Sequence, residues 1–468
     1  MNRKTQPYDN SSWESILEYA RKLLGHSLKE LYPNSNFKLS GKGELGKTVE
    51  KIHFILESNN ESKPDFEKAG LELKTTSLKL LSDKSVASKD RLVLNVINYI
   101  EEDKKNFVTS SFWTKNKFLL LMFYLYEKGV SPFDFLFKIV RCWKIPEEDL
   151  KIIKDDWTII HNKICEGKAH EISQGDTLYL AACPKGSKAQ KEMRFQPRTK
   201  RRAQQRAYSF KSRYVNTIIL DSLKHPEMCH NLFISEKQKG KILEAQKDVQ
   251  SVVRSISDYR GSETFEQLIE RKFSPYYGKT IEEIEKKRGV EFGQSKSMAY
   301  NVCRTILGVK KKKIAEFEKA EIAIKTIRLE PNGNLEQHMS FPNINYKEII
   351  NEKKWEDSAL YSLFTQRFLF VIFEKEKTGD DKLVRLKKIM FWTMPAKDLK
   401  QGKILWKDTR TKVKNGIYDK FIKISDNLIC HVRPKSKNSK SLTTDACGRH
   451  VKKMCYWLDK KYILKVIE

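Results

Sequence analysis

The sequence predicts two tandem domains of one mixed α/β fold, and three observations carry that expectation. The chain has 468 residues, about three times a common domain and more than one hydrophobic core fills. Residues 63–76 (KPDFEKAGLELKTT) align without a gap on residues 314–327 (IAEFEKAEIAIKTI), at a constant offset of 251 with six identities in the ten positions from Phe66 to Thr75. Apolar runs of helical and strand period mix without regular strand-helix alternation, which favours a mixed fold over a wound parallel sheet.

In chain order, the first copy reads as a helix at 13–24, a helix at 45–56, and strands at 71–75, 91–98 and 118–126. The last of these, FLLLMFYLY, is apolar at nearly every position, as a strand buried on both faces should be. Further echoes recur in the same order: TKNKFLLL (114–121) against TQRFLFV (365–371), and LYLAACPKGSK (178–188) against LICHVRPKSK (428–437). These place the copies at 12–222 and 262–468. The intervening 223–261 is charged and helix-favouring, which suits a helical connector.

Lys and Arg total 90 against 60 Asp and Glu, a formal charge of +30 and a pI near 9.5. That balance suits a polyanionic partner better than a neutral metabolite. The N-terminus has no apolar run of signal-peptide length, and the longest apolar stretch is about half of what spans a bilayer. A cytoplasmic protein with no membrane segment is expected. The eight cysteines contain no Cys-x-x-Cys pair, which argues against a zinc ribbon or a disulfide framework.

Asp65, then Glu72-Leu73-Lys74, is a spacing that nuclease chemistry can use. Alternate residues of a strand share a face, so Glu72 and Lys74 point one way while Leu71 and Leu73 point into the core. Asp65 and Glu72, with the Leu73 carbonyl, offer hard oxygen ligands to a divalent cation. Lys74 is placed to hold the attacking water and offset developing charge. The bare spacing also describes an ordinary strand with an exposed Glu and Lys, and the surrounding segments decide between the two.

Those segments are LGHSLKEL (24–31), KGELGKTVEKIHF (42–54), SKPDFEKAGLELKTT (62–76), TKNKF (114–118) and CPKGSKA (183–189). Together they resemble the MutH and Sau-type restriction endonuclease family, which acts at GATC, and they cover most of the first copy. The resemblance implies a restriction-endonuclease-like domain of two subdomains around a DNA cleft, with Mg2+ as cofactor. It assigns Asp65, Glu72 and Lys74 to the metal-binding and catalytic triad, Glu50 to a further active-site acid, and Lys42 and Lys115 to catalytic or DNA-facing lysines. It makes 183–189 a recognition loop in which Cys183 replaces the family arginine, so Lys185, with Lys188 nearby, is the expected reader of guanine. The basic run 197–206 (PRTKRRAQQR), with Arg201 and Arg202, and the following Lys211 are expected to face DNA.

In the second copy the same offset turns Asp65 into Glu316, Glu72 into Ala323 and Glu50 into Asn301, whereas Lys74 persists as Lys325. Alanine cannot ligate a metal, so this copy is expected to be catalytically degenerate. Arg433 and Lys435 resemble the family's Arg-Pro-Lys recognition loop, and suggest a second DNA site that acts as an effector or only completes the structure. The expected reaction is Mg2+-dependent double-strand cleavage of GATC duplex before the guanine, leaving 5′-phosphates. With one active site per chain, that requires self-association on DNA or two successive nicks. The competing readings are a MutH-like strand-nicking repair enzyme and a non-catalytic DNA-binding protein.

Overall fold

The computed structural model describes residues 6–35, 43–56, 63–81, 85–185, 192–232, 236–292, 298–376, 384–435 and 441–468. The chain divides into two compact units, Met1–Asp258 with Lys313–Ala320, and Tyr259–Lys312 with Glu321–Glu468. Among the described residues no helix is long and apolar enough to cross a membrane. All eight cysteines are free thiols.

In the first unit, helix α1 (Trp13–Arg21) starts where the Ser12 hydroxyl accepts the Ser15 N–H, satisfying one of the orphan donors at a helix start. Helix α2 (Glu44–Thr48) runs on into a π-turn at Val49–His53. Strands β1 (Glu72–Leu80), β2 (Val86–Ser88), β3 (Leu92–Val96), helix α3 (Ser111–Asn116) and strands β4 (Phe118–Leu125) and β5 (Phe137–Lys144) follow. The main sheet has the order β2-β1-β4-β5, with β1 and β4 parallel and the outer pairs antiparallel. Leu119 to Phe123 are each 0% exposed, so β4 is the two-sided buried strand that its composition predicts. One face of it packs with Leu71, Leu73, Leu120 and Met122 against Ile16, Ala20, Leu45 and Val49 from the helices.

A 19-residue helix, α4 (Glu147–Cys165), then leads to a second sheet. Its members are β6 (Leu180–Pro184) and β9 (Arg206–Phe210), in the antiparallel order β3-β9-β6, and between them lies a hairpin of β7 (Met193–Gln196) and β8 (Thr199–Gln204). The buried Asp156 carboxylate of α4 accepts the N–H groups of Leu178, Tyr179 and Leu180. It thereby fixes where β6 begins.

The second unit has a sheet of β10 (Ile322–Leu329), β12 (Arg367–Lys375) and β13 (Val384–Trp392), and another of β11 (Met339–Asn343), β14 (Cys430–Pro434) and β17 (Met454–Leu458). The first runs β10-β12-β13 with a parallel then an antiparallel pairing, and the second runs β11-β17-β14, all antiparallel. A hairpin of β15 (Leu442–Thr444) and β16 (His450–Lys452) falls between β14 and β17. Helix α5 (Ala396–Lys414) has 19 residues and, like α4, begins after a proline; helix α6 (Lys460–Ile467) closes the chain. Apart from β2, which has no counterpart among the described strands of the second unit, the two units share strand order and pairing sense.

Within 223–261, Glu236–Lys247 is helical, and the stretch up to Asp258 groups with the first unit. Residues 313–320, expected with the second copy, also pack in the first unit. Lys313–Ile314 pairs in parallel with Val249–Gln250, and the Glu316 carboxylate accepts the Val252 and Val253 N–H groups at 3.0 Å each. A buried carboxylate needs such donors, and here they lie just after the short strand Val249–Gln250.

Candidate active site

A tight turn between Phe66 and Leu71, closed by two backbone hydrogen bonds of 2.9 and 3.2 Å, folds the Asp65 segment back onto β1. Gly70 holds the left-handed conformation (φ +63°) that this turn requires. Each carboxylate then binds a backbone N–H of the other's segment. The Asp65 N–H donates to Glu72 Oε2, and the Leu73 N–H donates to Asp65 Oδ2, both at 3.0 Å. Since β2 reaches only Leu78 to Leu80, the start of β1 keeps one edge free of sheet partners among the described residues. In an extended strand the N–H and C=O of one residue lie on the same edge, so the Leu73 carbonyl shares the edge on which Asp65 sits.

Glu72 is 1% exposed. Lys74 Nζ lies 2.5 Å and Lys115 Nζ 3.6 Å from its Oε1. Lys115 reaches it because Ser110 caps the short helix α3 immediately before β4, the parallel neighbour of β1. Burial pushes the Glu72 carboxyl up to about 7, Asp65 adds to the rise, and the two lysines oppose it.

Glu50 joins the same group. Burial and the charge of Asp65 raise its carboxyl, against Lys74, Lys115 and Lys47. A regular α-helix over 45–56 would let Gly46, Glu50 and His53 share one face. The π-turn breaks that phase. His53 is instead buried, with Nδ1 bonded to the Tyr32 hydroxyl at 2.8 Å and Nε2 3.2 Å from the Tyr19 carbonyl, while Glu50 turns to the acidic cluster. One contributor escaped the sequence reading. A Cβ on Gly46 would lie 2.8 Å from Thr75 Oγ1, so this glycine is what lets α2 approach β1.

The expected DNA-facing residues are spread more widely. Lys42 and Lys188 lie outside the described residues. Lys185 is exposed just after β6, its N–H held by the Gln205 carbonyl at 2.8 Å. Arg201 and Arg202 are exposed on β8, with the Arg202 guanidinium 4.3 Å from the Phe195 ring centroid. The reading of Lys211 as a DNA contact needs correction. Its ammonium turns inward to the Thr177 carbonyl and acts on the buried Asp156, whose burial demands a nearby cation.

In the second unit, Lys325 Nζ donates to the Ser340 carbonyl at 2.9 Å and sits 5.1 Å from the Phe341 ring centroid. Burial, then repulsion from Lys435, lowers it to about 8. Ala323 packs on the apolar core, and the Asn301 side-chain oxygen accepts from Arg304. Arg433 stacks 4.5 Å from the Trp457 centroid, and Lys435 Nζ lies 3.4 Å from the Phe341 carbonyl.

Two carboxylates and a backbone carbonyl at one strand edge, with two lysines over them, fit a hard divalent cation. They define a nuclease of the kind that carries its acidic residues and lysine at the start of one strand. Residues 54–156, which include Asp65, Glu72, Lys74 and Lys115, match the family described as DNA mismatch repair enzyme MutH. The chain is also 31% identical over 508 aligned residues to the type II restriction enzyme Sau3AI of Staphylococcus aureus, covering 97% of this chain and 98% of that one. It belongs to this family of type II restriction endonucleases with a MutH-like domain.

Proposed function

We propose that the chain cuts duplex DNA at GATC before the guanine, as a Mg2+-dependent restriction endonuclease leaving 5′-phosphates. The observation that supports this best is the gathering of Glu50, Asp65, Glu72, Lys74 and Lys115 at one free strand edge. A divalent cation held by Asp65, Glu72 and the Leu73 carbonyl would polarise the scissile phosphate and stabilise the charge that develops on it. Lys74, hydrogen-bonded to Glu72, orients the attacking water and offsets negative charge on the phosphoryl oxygens. Lys115 adds a second positive charge on the same side. Lys185, Arg201 and Arg202 supply phosphate and major-groove contacts from the second sheet and its hairpin.

The second unit we read as a diverged copy of the first that has lost its metal ligands and kept its recognition loop, where Arg433 and Lys435 hold a second duplex. The shared strand order supports the copy, and Lys325 bonded to a carbonyl rather than a carboxylate supports the loss of catalysis.

Sequencing the ends made from a defined plasmid with Mg2+ tests site, polarity and metal need together. Ends elsewhere than 5′ of a GATC guanine would overturn the specificity. The match to MutH supports a second reading, a strand-nicking enzyme, which predicts nicked circles alone from a plasmid with one GATC even at high enzyme. An effector role for the second unit predicts that Arg433→Ala with Lys435→Ala slows cutting of two-site plasmids to the one-site rate.

A further inference from the structure

The second unit gathers a set of side chains that the first unit's candidate site does not use. His338, His431 and Asp459 each bring one ligand-capable atom to within 4.8 Å of the others. They come from three elements: the residue before β11, the strand β14, and the residue that caps α6. His431 is 1% exposed, yet among the described residues neither of its ring nitrogens has a hydrogen-bond partner. A neutral imidazole has one donor and one acceptor to satisfy, and burying both unmatched is rare and costly.

His338 stands edge-on to His431, with centroids 5.0 Å apart and planes at 85°. Its Nδ1 accepts the Lys460 N–H at 3.1 Å and lies 3.4 Å from Asp459 Oδ2. Asp459 Oδ1 caps α6 through the Lys461 N–H at 2.7 Å, so its other oxygen is the one turned to the histidines. His338 also lines a cleft of about 320 Å³ with Lys325, Arg328 and Ser340, which gives a small ion a route in. The strand registers set Arg91, Ala181 and Lys211 of the first unit at the matching positions. None of the three ligand types is shared, so the cluster serves something peculiar to the second unit.

We propose that His338, His431 and Asp459 bind a transition-metal ion of the Zn2+ class, which ties the ends of β11, β14 and α6 together. Two neutral imidazoles and one carboxylate oxygen suit such a cation and leave a fourth position for water from the cleft. Mg2+, which demands octahedral oxygen ligands, does not suit this set. The three ligand-capable atoms all lie within 4.8 Å of one another, so small side-chain adjustments bring them to tetrahedral positions about 2.0–2.1 Å from an ion.

The test is a titration of full-length Glu72→Ala protein with Co2+ and Zn2+ in excess Mg2+, which removes the first unit's ligand and occupies other oxygen sites. One equivalent should bind and give the visible absorption of four-coordinate cobalt. His431→Gln and Asp459→Asn in that background should each weaken binding by at least about 100-fold. Without chelator, Zn2+ at 100 times its Kd should raise Tm by several degrees, and not in those variants. Should His431→Gln fail to fold, the partly exposed His338→Ala decides the matter by the same loss. Absence of a stoichiometric cobalt spectrum, or unchanged affinity in the folded variants, overturns the proposal.

Discussion

Glu72 carries the charge balance of the first unit's site, since it is buried, faces Asp65 and receives both Lys74 and Lys115 on one oxygen. Replacing it with Ala removes the cation ligand proposed above and the anchor of both lysines. Cleavage should fall at least ~10³-fold, about 4 kcal/mol in the barrier, while a gel-shift assay shows DNA binding retained. Its titration gives a second expectation. With the folded value at about 7 against an ordinary 4.5, the protonated form is favoured in the folded state. The resulting stability is complete below about pH 4.5 and is lost as pH rises through about 7. In chelator, Glu72→Gln should therefore gain on the parent by up to about 3 kcal/mol between pH 5 and pH 8. Urea melts at the two pH values measure this, and parallel curves would contradict it.

At the level of elements, the site depends on how closely α2 lies against β1. A methyl group at position 46 has no room, because its carbon would stand only 2.8 Å from Thr75 Oγ1. Gly46→Ala should push the helix outward, destabilise the chain by about 1–3 kcal/mol, and displace Glu50 one turn further on. A displacement near 1 Å lowers cleavage by up to about 100-fold. Adding Thr75→Ala should recover part of both losses, and steady-state cleavage of the double variant reads this directly. No recovery would mean that the glycine acts through something other than this contact.

Across the molecule, the chain crosses between its compact units more than once, so the first unit is not contiguous in sequence. Lys319 pairs with the nearly buried Asp149 at 2.7 Å, and Tyr214 donates to the other Asp149 oxygen at 3.0 Å. Removing one partner of a buried pair leaves an uncompensated charge. Lys319→Ala should cost about 3 kcal/mol by urea melt. A chain ending at residue 258 loses that lysine, the Glu316 carboxylate and the strand at Lys313–Ile314 together, and should melt below the full-length first transition. Equal stability would show that 313–320 adds nothing to the first unit.

The mixed α/β class, the buried strand β4 and the Asp65, Glu72, Lys74 spacing were legible in the sequence because each is a local property. Period-two alternation sets which strand residues share a face, and a run such as FLLLMFYLY can only be buried on both sides. The side chains that depend on packing between distant segments were decided by tertiary structure. A π-turn rather than a longer α-helix chose the direction of Glu50, and the buried Asp156 drew Lys211 inward. His338, His431 and Asp459, spread over more than 100 residues of chain, meet only where β11, β14 and α6 come together. Local spacing sets the phase of a side chain on its own element, whereas burial and partners are set by which other elements pack against it.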